Sequence, residues 1–78
     1  MKITFWKDNL LSQEQSISVS QILSDFHNTE SVAKKNYDSG WPFERSILLF
    51  MSDLYGSFDR LTDIQWEEIG LEHNIYLD

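Results

Sequence analysis

The chain has 78 residues, with thirteen acids against six bases, a formal net charge of −7, and no cysteine. That length supports one small domain spanning 1–78. The missing cysteines exclude disulfide scaffolds and thiolate chemistry, and the acidity disfavours direct contact with nucleic acid or an anionic membrane. Eleven aromatic side chains, each with on the order of 150–250 Å² to bury, argue for a folded core despite the charge.

In chain order, Lys2 to Trp6 alternates Ile3 and Phe5 with Thr4, the pattern of a short strand. Asp8 to Gln15 is polar around Leu10 and Leu11, and reads as a loop or a single helical turn. Ser18 is then a suitable N-cap for a helix over 18–37. Val19, Ile22, Leu23 and Phe26 follow at i, i+3, i+4 and i+7, and Ala33 and Tyr37 continue that face. His27-Asn28-Thr29 are poor helix formers and mark the place for a kink or break. Lys34 and Lys35 suit the C-terminal end, with Gly40 just beyond.

Pro42 suits the first position of a second helix, over 42–57. Ile47, Met51, Leu54, Tyr55 and Phe58 share one face, and Leu48, Leu49 and Phe50 widen it. This predicts the centre of the core, packed around Ile47, Met51, Leu54 and Phe58. A buried strand at 46–51 is the alternative; the length of the pattern favours the helix.

The strongest local signal is a capping box at Thr62 and Gln65, with Leu61 and Trp66 at the two positions of a hydrophobic staple. Asp63 sits in the first turn, and Gly70 is placed to end the helix, with Leu71 folding back on Trp66. A third helix is therefore predicted over 62–70, followed by a closing strand from Asn74 to Leu77. The fold class is α+β and mostly helical: three main helices with one or two short terminal strands.

The charge is unevenly placed. Residues 53–78 hold Asp53, Asp59, Asp63, Glu67, Glu68, Glu72 and Asp78 against Arg60 alone, whereas residues 1–52 are nearly balanced. If the helix ends at Gly70, Glu67 and Glu68 occupy its last turn. There the dipole opposes each anion by about 0.3–1 kcal/mol. Asp63 and Glu67 add a like-charge i,i+4 pair. A solvated face that keeps a small domain soluble is the simplest reading of these acids; carboxylates kept against local electrostatics point beyond it to a partner, a basic protein surface of the kind that binds nucleic acid. Carboxylates four apart on a helix lie about 6 Å apart along its axis, within a factor of two of the axial phosphate spacing of a DNA strand.

Small, acidic and free of catalytic motifs, the chain resembles in profile the phage or mobile-element inhibitors that mimic nucleic acid, and the immunity proteins that block cationic nucleases. The expectation is a non-catalytic antagonist of a basic, nucleic-acid-processing protein. Asp59, Asp63, Glu67, Glu68 and Glu72 would supply charge, and Trp66 or Trp41 an apolar anchor. The alternatives are an assembly subunit that forms homo- or hetero-oligomers through apolar surface, and a helix–turn–helix in which phosphate would meet carboxylates.

Catalytic and metal chemistry find no purchase. His27 with Glu30 and Glu72 with His73 are isolated pairs, short of the three or four ligands a metal needs. No serine sits in a nucleophile elbow, and no glycine-rich phosphate loop is present. No cofactor is expected. Met1 to Lys7 has no apolar signal core, and the longest apolar run, Ile47 to Met51, is too short to span a bilayer, so the expected compartment is the cytoplasm.

Overall fold

The computed structural model describes residues 1–6 and 14–77; most of the loop-or-turn segment predicted at 8–15 lies outside these. The described residues form an α+β fold in the order β1 (Lys2–Trp6), β2 (Glu14–Ser18), α1 (Val19–Asn28), α2 (Val32–Asp38), α3 (Phe43–Leu54), β3 (Ser57–Phe58) and α4 (Asp63–Ile75).

Strand β1 is the middle of a three-stranded antiparallel sheet ordered β2-β1-β3. Ile3 faces Ile17 and Phe5 faces Gln15 on one side, while Phe5 and Trp6 face Phe58 and Ser57 on the other. Ile3 and Phe5 are buried and Thr4 and Trp6 half-buried, the alternation that the sequence predicts. Strand β2 takes in Glu14 and Gln15, which the sequence assigns to a loop or turn. Only Ile17 of its five residues is buried, so the ladder to β1 defines it and no apolar pattern does.

Helix α1 begins where expected. The Ser18 hydroxyl accepts the Gln21 N–H at 3.1 Å, and Val19, Ile22, Leu23 and Phe26 are all buried. The single helix predicted over 18–37 is two helices. Thr29 and Ser31 are extended, and Ser31 recaps the chain by accepting the Lys34 N–H at 3.0 Å. After α2 the chain turns through Gly40, whose φ of +112° is open to glycine at no steric cost. Pro42 is the N-cap of α3, one place before the helical position predicted for it.

Ile47, Phe50 and Met51 of α3 are fully buried against Phe5, Phe26 and Ile22 in one core. Leu54 does not join them; it is 47% exposed, because α3 ends there and Gly56 (φ +108°) turns the chain into β3. Residues 55–57, predicted helical, therefore leave the helix. Helix α4 runs five residues past Gly70, and the closing strand predicted from Asn74 is instead its last residues and C-cap, Tyr76. Among the described residues no helix is long and apolar enough to cross a membrane.

Candidate protein-interaction face

Helix α4 opens with the capping box that its sequence predicts. Thr62 Oγ1 accepts the Gln65 N–H at 3.2 Å, and Gln65 Oε1 accepts the Thr62 N–H at 2.9 Å. Leu61 is buried and Trp66 half-buried against the core, as a staple requires. Leu71, expected to fold back on Trp66, is 59% exposed. Since the helix continues, Glu67 and Glu68 lie in its middle and only Glu72 stands in the last turn; the dipole argument applies to Glu72 alone.

At 3.6 residues per turn the thirteen residues divide into two faces. Trp66, Ile69 and His73 point inward, where Ile69 and His73 are buried. On the outside Ile64, Leu71 and Ile75 are 66%, 59% and 68% exposed and fall in one row. From Ile64 to Ile75 that row is about 16 Å long. Asp63 and Glu67 border it on one side. Glu68 lies close to the row itself, between Ile64 and Leu71, with Glu72 farther out on the same side. The helix carries no Lys or Arg. Among the described residues the one ion pair is Lys34 with Asp38, at 2.8 Å, so none of these four carboxylates has a cationic partner there.

The other three anticipated residues lie apart from this face. Asp59 is exposed on the connection from β3 to α4. Trp41 occupies the turn between α2 and α3, 37% exposed, with the Arg45 guanidinium 4.5 Å from its ring centroid. The Arg45 guanidinium therefore covers part of the ring. Trp66 shares the helix with the acids but turns toward the core.

An aromatic cluster fixes how α4 is rotated. The His73 ring stacks on Phe43 of α3, with centroids 3.6 Å apart and planes within 7°. Its Nε2 is 3.1 Å from the Tyr37 hydroxyl of α2, and its Nδ1 is 3.1 Å from Nε2 of His27 on α1. His27 in turn stacks on Tyr76 at 4.4 Å. Sequence reading pairs these histidines only with Glu30 and Glu72; His73 is instead 7% exposed with both ring nitrogens engaged. Burial holds the His73 imidazole below its ordinary pKa. His27 is also held below it, by burial first and then by His73 and Lys34, with Asp38 pulling the other way.

Elsewhere, a hollow of about 290 Å³ at the α1–α2 junction is lined by His27, Glu30, Lys34, Lys35 and Asp38 among others. Its charges are mixed, and Lys34 and Asp38 neutralise each other. Among the described residues no three His, Asp or Glu side chains converge as metal ligands. What the fold offers is a surface: an aliphatic row with carboxylates on both flanks, held at a fixed rotation by its buried side.

Sequence reading finds the carboxylates but misses Ile64, Leu71 and Ile75 as a set. Their spacing of seven and four is visible in the sequence once the helix is carried past Gly70. The His27–Tyr37–His73 cluster leaves no such trace, since its members are brought together from three helices. No family model matches the chain, and no curated protein or solved structure is significantly similar to it.

Proposed function

We propose that this chain is a non-catalytic binding domain that engages a basic protein through α4 and competes with nucleic acid for that protein's surface. One observation carries the reading: α4 holds two like-charged i,i+4 pairs, Asp63–Glu67 and Glu68–Glu72, with no Lys or Arg on the helix and no ion-pair partner among the described residues. Each such pair costs a few tenths of a kcal/mol in an isolated helix. A cationic partner turns that cost into attraction and speeds encounter at low salt.

The test is capture of partners on the immobilised protein from a nuclease-treated lysate of its own organism, at low and high salt, followed by mass spectrometry. A variant with Asp63, Glu67, Glu68 and Glu72 replaced by lysine runs in parallel. Basic, nucleic-acid-processing proteins should elute with salt from the native chain, be displaced by added nucleic acid, and be missing from the variant. An unchanged set of proteins on the variant would refute the reading. The exposed row Ile64–Leu71–Ile75 favours a second reading, an assembly subunit that associates through apolar surface. Sedimentation across a salt series separates the two, because apolar self-association persists at high salt.

A further inference from the structure

We infer that the occupant of α4's outer face is an amphipathic helix of the basic partner, presenting an aliphatic stripe flanked by lysine or arginine. This rests on the binding reading above and specifies what is bound. A surface helix needs one apolar face, toward the core. Helix α4 has two, and the outer one consists of branched aliphatic side chains each more than half exposed. Carboxylates alone would suit a phosphate mimic; the aliphatic row between them would then face water without purpose.

The row has the spacing of a helix-docking seam. Positions 64, 68, 71 and 75 step by four, three and four, the register in which one helix inserts its side chains between those of another. Ile64, Leu71 and Ile75 fill three of the four seam positions, and Glu68 fills the fourth. That carboxylate selects among occupants. Two copies of α4 packed in parallel would set Glu68 against Glu68. Packed antiparallel, they would press Glu68 onto the partner's Leu71, with no cation to receive it. In the parallel arrangement Glu67 would also face Glu72 of the second copy, which is repulsive. A helix with a lysine or arginine opposite Glu68, and bases along both edges, meets every one of these groups with its complement.

The probes are two synthetic lysine–leucine peptides of identical composition. In one the leucines recur every three or four residues, giving a helical stripe; in the other they are shuffled so that no stripe forms. Affinity is measured by calorimetry at low and high salt, and peptide helicity by circular dichroism. The striped peptide should become helical on binding and bind roughly tenfold or more tightly than the shuffled one, with the difference surviving high salt. The double variant Leu71→Ser, Ile75→Ser should erase that difference while leaving the salt-sensitive component. Both substitutions are at exposed positions, and unchanged circular dichroism of the variant checks that the fold is intact. Equal binding of the two peptides, lost entirely in salt, would overturn this inference and leave the proposed function standing. Binding of neither peptide would also overturn it. So would a dimer of the native chain that the double variant abolishes, since the face would then belong to a second copy.

Discussion

Acidification should destabilise this domain through one pair of side chains, His27 and His73. Their facing nitrogens are 3.1 Å apart, and the other engaged nitrogen of His73 meets the Tyr37 hydroxyl at 3.1 Å. A line of this kind holds one extra proton. A doubly protonated His73 donates to His27 and to the Tyr37 oxygen, but a second proton sets two N–H groups against each other. The pair therefore titrates as a unit. Both imidazoles are held below their ordinary pKa, chiefly by burial. Groups with lowered pKa values are filled later in the fold than in the unfolded chain. For a base this means stability is complete above about 6.5 and falls as pH drops below it. Holding one proton where the unfolded chain holds two, the fold loses at most about 1.4 kcal/mol per pH unit below that point, and so at most roughly 2 kcal/mol by pH 5. That is a sizeable share of the 5–15 kcal/mol typical of a domain. The facing charges on neighbouring elements are Lys34 and Asp38, which oppose each other at His27. Urea unfolding followed by tryptophan fluorescence at pH 7.5, 6.5 and 5 measures the effect. The variant His27→Gln supplies the reference, because one histidine beside an amide oxygen accepts its proton without conflict. The native chain should lead the variant at pH 7.5, and its lead should shrink steadily from pH 6.5 to pH 5. Parallel curves for the two proteins would refute the argument, whatever the carboxylates contribute to both.

Three other substitutions follow from single observations. Gly70 lies within α4 and a Cβ there meets nothing within 4 Å among the described residues, so Gly70→Ala should stabilise by about 0.5–1 kcal/mol, seen as a higher Tm; a lower Tm would mean that the helix ends at that residue. Among the described residues the buried Ser46 hydroxyl has no hydrogen-bond partner, so Ser46→Ala should leave stability unchanged or raise it by about 1 kcal/mol in urea, and a clear loss would overturn that reading. Tyr55 donates to Asp25 at 2.6 Å, so Tyr55→Phe should cost about 1–2 kcal/mol, and in alkaline ultraviolet titration of the native chain Tyr55 should ionise late, since burial and then the Asp25 carboxylate push its phenol up.

How much of this fold is legible in the sequence depends on which interactions define each element. Strand β1, the stripe of α1 and the cap of α4 are written in local patterns that tertiary structure leaves in place: alternation at Ile3 and Phe5, the run from Val19 to Phe26, and Thr62 with Gln65. Strand β2 has no pattern of its own, because its polar residues 14–16 are exposed and the backbone ladder to β1 is its whole definition. Strand β3 is two residues long and exists because Gly56 turns the chain back beside β1. The break between α1 and α2 is half legible: weak helix formers mark the place, but the new start at Ser31 is a capping event three residues on.

Gly70 shows how one local rule can hide a site. A glycine in a helix interior costs about 1 kcal/mol relative to alanine, which makes it a natural terminus when only local terms count. Here the residues after it recover that cost through contacts distant in sequence. His73 stacks on Phe43, bonds to Tyr37 and His27, and draws Tyr76 onto the His27 ring; burying and stacking aromatic rings exceeds the glycine penalty. Continuation of the helix then moves Glu67 and Glu68 out of its last turn and brings Leu71 and Ile75 into line with Ile64. The inner and outer rows share thirteen residues, so the rotation that seats His73 also aims Ile64, Leu71 and Ile75 outward. The interaction face is thus a consequence of the buried cluster on the opposite side of the same helix, and the two are read correctly only together.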